Sequence, residues 1–459
     1  MSRIFISAAH KSSGKTTISI GLCAAFSQSG QQVQPFKKGP DYIDPMWLAA
    51  AANHPCYNLD FYTMQHQEIL DSYARYQDGI DINLIEGNKG LYDGLDLDGS
   101  NSNAALAKLL KTPVILVIDA RGMTRGIAPL ILGYQAFDQE INIAGVILNQ
   151  LGGLRHESKL RQVIEHYTDV PVIGAVHHDK AITIDERHLG LMPSNEVEQA
   201  KTQIELLGEK IAEQVDLDAV LAIAQTAPAL QFPPAKQDQP AQYDTEITIG
   251  IARDAAFGFY YPDDIEIFKE NGVNLVEIDL INETTLPQID GLFIGGGFPE
   301  TQMTLLEKNT PMRNAIKAAI EAGLPCYAEC GGLMYLARSI TWKDKTCEMA
   351  GVIHGDIVLH GKPQGRGYIR ITETGKGHWS SQQPENEAIC AHEFHYSSLN
   401  NLPSDTIYAY EVKRGTGIDG QHDGIVYKNM MACYAHLRNT KQSPWTTGFV
   451  RFVRNCKRM

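Results

Sequence analysis

The chain has 459 residues, 43% of them hydrophobic, and a formal net charge of −14 at pH 7. This length exceeds one ordinary hydrophobic core, so we expect two or three domains. The acidic balance argues against nucleic acid as a partner, because binding to phosphates needs a basic surface. No apolar run reaches the roughly eighteen residues of a membrane span. The eight cysteines are scattered without paired metal-ligand spacing, which favours reduced thiols and a cytoplasmic location.

The first half of the sequence alternates apolar runs with helical stretches. A helix is predicted over residues 16–29, ended by Gly30. Continuous apolar, β-branched runs between helices are typical of buried parallel strands. They cover residues 4–7, 82–86, 114–119, 143–149 and 170–176. Because ligands bind at the carboxyl ends of such strands, the polar residues at these ends are candidates for a site.

The pattern changes at residues 226–244, which are rich in Pro, Gln and Ala and have no periodicity. Such composition is typical of an interdomain linker. A new series of strands follows at residues 247–252, 292–297 and 325–328. We therefore predict an α/β fold of two doubly wound domains, over residues 1–225 and 245–459, joined by the linker 226–244.

A phosphate-binding loop is predicted directly after the first strand. Its residues are Ser12, Ser13, Gly14, Lys15, Thr16 and Thr17, with Ala9 at a position where the full pattern has glycine. The backbone N–H groups would bind phosphate, Lys15 would reach the outer phosphates and Thr16 would hold Mg²⁺. A chance match in a loop is the competing interpretation, but a strand before and a helix after favour an ATP site.

Two acidic clusters flanked by glycine follow the loop, at residues 37–45 and 86–94. Mg²⁺ prefers one or two carboxylates together with waters and phosphate oxygens. The candidate carboxylates are Asp41, Asp44, Glu86 and Asp93. A single acid is more often a solvated loop residue, but two clusters beside a phosphate loop favour the ligand interpretation. Asn149, at a strand end, either reads a purine edge or is a structural amide.

The second half of the chain contains a candidate nucleophile. Cys330 lies on a Glu-Cys-Gly-Gly turn after an apolar run, where a nucleophile can be exposed. The other seven cysteines are interpreted as buried structural residues. Backbone N–H groups of Gly296, Gly297 and Gly331 could form an oxyanion hole. This combination predicts acyl chemistry on a thiol.

A cysteine nucleophile also requires a base. His436 follows an apolar segment near the C-terminus, and His392 and His395 are rival candidates. Spacing along the chain does not choose between them, because the base and the nucleophile meet only in the folded protein.

Five segments form a specific set in a specific order: residues 38–45, 86–94, 186–191, 295–300 and 329–332. Together they resemble the cobyrinic acid a,c-diamide synthase family over essentially the whole chain. The resemblance implies a dethiobiotin-synthetase-like P-loop ATPase domain followed by a flavodoxin-like class I glutamine amidotransferase domain. It also implies that Gly39, Tyr42 and residues 186–191 help to shape the ATP and tetrapyrrole sites.

The resemblance implies a coupled reaction with glutamine, ATP and a modified tetrapyrrole. Cys330 would release ammonia from glutamine, and ATP·Mg²⁺ would phosphorylate the a and c carboxylates of cobyrinic acid, which ammonia then converts to amides in cobalamin biosynthesis. The activating histidine maps onto His436, and the essential acids map onto Asp41, Glu86 and Asp93. Other class I glutaminases have Glu two residues after this histidine. Here that position is Arg438, so a Cys–His dyad is expected.

Two departures from the family pattern concern the substrate. Residues 8–13 lack the usual glycines, and Asn88 and Lys89 replace an apolar pair. Both lie where phosphate or substrate should bind, so a sirohaem amidase and a nickel-sirohydrochlorin a,c-diamide synthase stay open.

Three hypotheses of a different kind are also open: a ParA-like ATP switch, an amidase acting on a nucleotide, and a ligase with an inactive second domain. The switch leaves Cys330 and the second half of the chain unexplained. The segment 38–45 argues against a nucleotide as the acceptor, because it resembles the tetrapyrrole amidases. A homodimer is one option for assembly.

Overall fold

The computed structural model describes residues 2–179, 184, 186–187, 190–196, 200–230, 246–379 and 387–458. The chain divides into two compact units, residues 1–236 and 237–459. Most of the predicted linker lies outside the described residues, so the domain limits at 225 and 245 stay predictions. Within the described part of the chain, no helix has the length and apolar character needed to cross a membrane.

The first unit is built around a parallel sheet. Its described strands are β1 (Ser2–Ala8), β2 (Val33–Lys38), β3 (Tyr57–Leu59), β4 (Ile82–Glu86), β5 (Val114–Asp119), β6 (Ile143–Leu151), β7 (Val172–His177), β8 (Glu186–Arg187) and β9 (Gly190–Leu191). The 7-stranded sheet has the order β3-β2-β4-β1-β5-β6-β7, and every neighbouring pair is parallel. β8 and β9 form a separate antiparallel pair.

Helices cover this sheet, and a short 3₁₀ helix spans Ser194–Glu196. The described helices are α1 (Lys15–Gln28), α2 (Ile43–Ala52), α3 (His66–Arg75), α4 (Asn103–Leu109), α5 (Ile127–Phe137), α6 (Leu154–Tyr167), α7 (Ala200–Gln214) and α8 (Leu217–Gln225). β2 and β4 are buried along their whole length, as strands covered on both faces are. The strands predicted at 82–86 and 114–119 are confirmed, and helix α1 begins one residue before the prediction.

The second unit combines parallel and antiparallel strands. These strands are β10 (Ile247–Ala252), β11 (Phe257–Phe259), β12 (Val273–Ile278), β13 (Gly291–Ile294), β14 (Gly296–Gly297), β15 (Cys326–Glu329), β16 (Ser339–Trp342), β17 (Lys345–Glu348), β18 (Asp356–Leu359), β19 (Gly365–Glu373), β20 (Ile389–His395), β21 (Ser397–Asn400), β22 (Ile407–Arg414), β23 (His422–Tyr427) and β24 (Met430–Cys433). The helices are α9 (Pro262–Glu270), α10 (Pro299–Lys308), α11 (Thr310–Glu321), α12 (Gly331–Leu336) and α13 (Trp445–Arg458).

Five parallel strands form one half of the main sheet, in the order β12-β10-β13-β15-β24. Numbered along the chain this order is 2-1-3-4-5, which is typical of flavodoxin-like folds. Four antiparallel strands, β23, β22, β19 and β20, extend the sheet. The predicted doubly wound α/β fold is confirmed for both units. The run predicted as one strand over 292–297 is interrupted after Ile294, because Gly296–Gly297 turns to pair antiparallel with β11.

Candidate active sites

The phosphate-binding loop connects β1 to α1 at the centre of the first sheet. Ser12 (φ 65°) and Gly14 (φ 81°) adopt left-handed backbone conformations. The side chain of Asn149 supports the loop, since its Nδ2 donates a hydrogen bond to the carbonyl oxygen of Ser13 at 2.9 Å. A Cβ added at Gly14 would lie 2.1 Å from the same Nδ2. Asn149 therefore has a structural role, and its contact with a purine stays a prediction.

A buried lysine lies at the centre of the acidic cluster. Lys37 and Glu86 are register partners on adjacent parallel strands, and Lys37 Nζ lies 3.1 Å from Glu86 Oε1. The same Nζ lies 2.5 Å from Asp44 Oδ2 and 3.7 Å from Asp41 Oδ2. Burial alone would lower the pKa of Lys37, but Asp44, Glu86 and Asp41 raise it above its usual value. Lys37 therefore stays a cation among three acidic side chains, while burial and the charge of Asp44 raise the pKa of Asp41 to about 7.

Glu86 joins this cluster to the phosphate-binding loop. Thr16 Oγ1 donates hydrogen bonds to Glu86 Oε1 at 2.6 Å and to Asp44 Oδ2 at 3.2 Å. Lys15 Nζ lies 3.3 Å from Glu86 Oε1. These residues belong to three separate segments of the sequence, and the parallel sheet brings them together at its carboxyl edge.

The donor set at this edge fits a magnesium ion bound together with phosphates. Glu86 is fully buried, and its Oε2 has no hydrogen-bond partner among the described residues. In the part of the chain that the structure describes, no group of three or more His, Cys, Asp or Glu side chains forms a complete metal site. Mg²⁺ takes few protein carboxylates and completes its shell with phosphate oxygens and waters, so the Thr16 hydroxyl and the Glu86 carboxylate are suitable donors.

Asp93 forms no contact with Lys37, Lys15 or Thr16 in the part of the chain that the structure describes. Its side chain is exposed, and Oδ2 accepts a hydrogen bond from the backbone N–H of Gly90 at 2.9 Å. The neighbouring turn is held by the buried Asn103, whose Nδ2 donates to the carbonyl oxygens of Asn88 and Gly90 at 2.5 and 2.9 Å. Asn103 was not predicted, because a single asparagine at the start of a helix belongs to no motif.

The glycine after β2 turns the chain toward the cluster. Gly39 has φ 83°, in the left-handed region. The side-chain amide of Asn58 holds the turn, because its Nδ2 donates hydrogen bonds to the carbonyl oxygens of Gly39 at 2.6 Å and of Asp41 at 2.9 Å. Tyr42, also predicted to shape the site, is buried at the start of α2. In the predicted segment 186–191, His188 and Leu189 lie outside the described residues.

In the second unit, Cys330 lies on a strained turn between β15 and α12. Its backbone angles are φ 46° and ψ −98°, which a residue with a side chain rarely adopts. The backbone N–H donates to the carbonyl oxygen of Cys433 at 2.7 Å. The turn is therefore anchored to the end of β24, and such strain at a nucleophile is typical of a strand–turn–helix elbow.

The predicted oxyanion glycines surround this turn closely. A Cβ added at Gly331 would lie 3.0 Å from the backbone nitrogen of Gly297, and one at Gly296 would lie 2.6 Å from Cε1 of His436. Gly297 has φ 156°, and its added Cβ would lie 2.0 Å from the carbonyl oxygen of Ala256. The three positions leave no room for side chains. Their role as an oxyanion hole stays a prediction.

His436 is the histidine that the fold brings to Cys330. It lies just after β24, its side chain is buried, and it faces the side chain of Cys330. Its Nδ1 lies 3.4 Å from Oε2 of Glu329, which is an electrostatic contact rather than a short hydrogen bond. Burial alone would lower the pKa of His436, but Cys330 and Glu329 together raise it to about 10.

The rival histidines have other environments. His392 pairs with His436 through the backbone, but its ring centroid is 6.1 Å from that of His436. Burial, and then the charge of His436, lower the pKa of His392 to about 3. His395 stacks on Tyr434 with ring centroids 3.8 Å apart, and its Nδ1 contacts the carbonyl oxygen of Ser397 at 2.8 Å. These contacts make His395 part of the packing.

Arg438 does not replace the carboxylate that other class I glutaminases have at its position. Its guanidinium pairs with Asp263 at 2.7 Å and lies over the ring of Tyr261. The carboxylate beside the histidine comes instead from Glu329, directly before the nucleophile. The expected Cys–His dyad therefore has an acidic neighbour, Glu329, that was not predicted. A glutamate at the end of a buried strand is unusual, and this position could have identified it as a candidate site residue.

A P-loop unit joined to a unit with a strained cysteine and a histidine base defines a glutamine amidotransferase that uses ATP. A family model described as a CobB/CobQ-like glutamine amidotransferase domain matches residues 248–443, and one described as an AAA domain matches residues 2–185. The chain belongs to the cobyrinate a,c-diamide synthase family. It is thus a glutamine-hydrolysing ligase.

Relatives over nearly the full length show this membership. A cobyrinate a,c-diamide synthase of Magnetococcus marinus is 46% identical over 98% of this chain and 97% of its own. A protein of the same name in Methanosarcina acetivorans is 41% identical over 95% of this chain and 92% of its own. Another, in Listeria monocytogenes, is 38% identical over 95% of this chain and 96% of its own. The similarity spans both units.

Proposed function

We propose that this protein converts the a and c side-chain carboxylates of cobyrinate to amides, using ATP and glutamine, in cobalamin biosynthesis. One observation carries the proposal. A strained Cys330 with a histidine base and a phosphate loop with a buried lysine–carboxylate cluster occur in one chain, which is similar to cobyrinate a,c-diamide synthases over nearly its full length. A glutaminase site alone would not require a phosphate-binding loop, and an ATPase site alone would not require a cysteine nucleophile.

The cysteine unit supplies ammonia. His436 takes the proton of the Cys330 thiol, and the thiolate attacks the side-chain carbonyl carbon of glutamine. Backbone N–H groups at Gly297 and Gly331 support the oxyanion. The C–N bond breaks, His436 gives the proton to the leaving nitrogen, and ammonia departs. Water then hydrolyses the thioester to glutamate and regenerates Cys330.

The P-loop unit activates the acceptor carboxylate. Lys15 and the N–H groups of residues 12–17 bind the phosphates, and the acceptor oxygen attacks the γ-phosphorus to give an acyl phosphate and ADP. Ammonia then attacks the acyl carbon, and inorganic phosphate leaves. Mg²⁺, which Thr16 and Glu86 would hold with Asp41 and Asp44 nearby, would neutralise charge on the phosphates. Asp93, at the loop edge, is proposed to contact the acceptor.

Mass spectrometry of the acceptor tests the proposal. Purified protein is incubated with ATP, Mg²⁺ and glutamine, and cobyrinic acid, sirohaem and nickel-sirohydrochlorin are supplied separately. Each conversion of a carboxyl to an amide lowers the mass by about one unit. Two conversions of cobyrinic acid are expected, whereas conversion of another macrocycle alone would overturn the substrate assignment. A cytoplasmic location and a homodimer stay predictions.

A further inference from the structure

The carboxylate of Glu329 is held in place from two directions. Glu329 ends β15, is paired in register with Cys433 on β24, and is 2% exposed. Its Oε1 accepts hydrogen bonds from the hydroxyl of Tyr327 at 2.7 Å and from the backbone N–H of Leu437 at 2.9 Å. These two donors fix the orientation of the carboxylate. The second oxygen, Oε2, consequently faces Nδ1 of His436 at 3.4 Å.

The other acids of this region are engaged elsewhere. Both oxygens of Asp423 accept backbone hydrogen bonds, from Tyr434 at 2.9 Å and Ala435 at 2.8 Å. Asp264 accepts from the backbone N–H of Asn439 and from Nε1 of Trp445, at 2.9 and 3.0 Å. Three carboxylates therefore hold the segment 434–439. Of these three carboxylates, that of Glu329 faces the ring of His436, with Oε2 3.4 Å from Nδ1.

The remaining ionisable groups near Glu329 are uncharged at neutral pH. These groups are Tyr260, Tyr327, Tyr410 and Cys433. Burial raises the pKa of each, which keeps the hydroxyls and the thiol protonated. The groups facing His436 are Cys330, Glu329 and His392. His392 is neutral at this pH because burial lowers its pKa to about 3. The acidic groups that face His436 are therefore the carboxylate of Glu329 and the thiol of Cys330.

We propose that Glu329 is the positioning residue of the glutaminase site, which orients His436 and stabilises the imidazolium formed when the ring takes the thiol proton. A carboxylate at Nδ1 keeps the proton there, so that Nε2 on the opposite side of the ring exchanges a proton with Cys330. In other class I glutaminases a glutamate two residues after the histidine orients the imidazole. Here Glu329, directly before Cys330, takes that role. The inference rests on the proposed hydrolysis of glutamine.

The test compares Glu329→Gln with Asp423→Asn. Glu329→Gln keeps an acceptor for Tyr327 and Leu437 and removes the charge at Nδ1. Asp423→Asn perturbs the same segment through its backbone contacts. We expect Glu329→Gln to lower kcat for glutamine hydrolysis by about 10- to 100-fold with little change in KM. Synthesis driven by ammonia should stay at the wild-type rate.

The decisive readout is the pH dependence of Cys330 alkylation by iodoacetamide, followed by peptide mass spectrometry. In Glu329→Gln the pH of half-maximal alkylation should rise by about one to three units, because the thiolate–imidazolium pair loses a partner. In Asp423→Asn it should stay as in the wild type. An unchanged alkylation profile in Glu329→Gln, or equal shifts in both variants, would assign Glu329 a structural role and overturn the proposal.

A second variant covers a failure to fold. Glu329→Asp keeps the charge but withdraws it from Nδ1, so an intermediate rise in the alkylation pH is expected, and a wild-type profile would contradict the proposal. If the wild-type protein hydrolyses no glutamine, the proposed function fails. The alkylation profile still tests the pairing of Glu329 with His436, because it requires no turnover.

Discussion

Lys37 and Glu86 are register partners on β2 and β4, and both side chains are buried, with Nζ and Oε1 separated by 3.1 Å. A buried ion pair gains stability only when each charge keeps its partner. Here one lysine balances Glu86, Asp44 and Asp41. The pair is therefore a structural element of the first unit, and Glu86 connects it to Lys15 and Thr16 of the predicted phosphate-binding loop.

Replacing Lys37 by Met should destabilise the first unit, because three carboxylates would lose their shared cation. We expect a loss of about 3 kcal/mol in the free energy of unfolding, at the lower end of the range for broken buried pairs, since Asp41 and Asp44 keep some contact with water. Hydrogen exchange of α1 in urea measures this unit alone.

Lys38→Met is the matched control. Lys38 is also buried, but its Nζ contacts the neutral Oδ1 of Asn101 at 3.3 Å, and burial lowers its pKa to about 8. Its replacement should cost less stability. Equal losses in Lys37→Met and Lys38→Met would contradict the assignment of Lys37 as the balancing charge.

Replacing Cys330 by Ser should abolish the use of glutamine and leave the use of ammonia intact. A serine hydroxyl at this position is a far weaker nucleophile at neutral pH, so glutamine-dependent synthesis should fall by about 1,000-fold or more. Amide formation with ammonium chloride is measured in parallel. Cys390→Ser, a half-buried cysteine on β20, is the control and should retain both activities. Loss of both activities in a folded Cys330→Ser protein would refute the division of labour.

Replacing Lys15 by Ala should block amide formation with either nitrogen source, because both require activation of the carboxylate by ATP. The expected loss is about 100-fold or more, as for other groups that stabilise transition-state charge. Hydrolysis of glutamine should continue. Lys11→Ala, an exposed lysine of the same loop, is the control and should retain synthesis. Ammonia-driven synthesis at the wild-type rate in Lys15→Ala would contradict the P-loop assignment.

His392 should make the second unit sensitive to acid. Its pKa is lowered to about 3 by burial and by His436, whereas an unfolded histidine titrates near 6.5. The unfolded state therefore binds the proton more readily, and stability falls as the pH drops from 6.5 toward 3. Because the side chain is only half-buried, the slope should stay below the full value of about 1.4 kcal/mol per pH unit.

The measurement is the melting temperature between pH 7 and pH 4. His392→Asn removes the titrating group and should flatten the decline. His422→Asn serves as the control, since His422 contacts Asp419 at 2.9 Å near the surface. A decline as steep in His392→Asn as in the wild type would show that other groups dominate acid unfolding.

The sequence alone predicted several buried strands and both strand–turn–helix motifs, although the run at 292–297 is interrupted after Ile294. The buried strands at 82–86, 114–119 and 247–252 have the predicted bounds, because apolar runs between helices have few other conformations open to them in an α/β fold. The phosphate loop and the cysteine turn each lie between a strand and a helix, as their motifs predict.

Relationships between distant segments were beyond the sequence. The contact of Glu329 with His436 depends on the pairing of β15 with β24, and the charge balance at Lys37 depends on the pairing of β2 with β4. The sequence rule sought a carboxylate two residues after the histidine and found Arg438. No periodicity predicts which of several buried acids faces a ring. Asn149 was ambiguous for the same reason, since its contact with Ser13 joins residues far apart in the chain.

The pairing of Glu329 with Cys433 has a consequence for how this chain tolerates insertions and deletions. Side chains alternate between the faces of a sheet, so a one-residue change in β24 would move each later side chain to the opposite face. His436 would then leave the cysteine, although no site residue had been replaced. The count of residues from Met430 to His436 should therefore be invariant in active variants, while exposed surface turns such as 343–344 can change length.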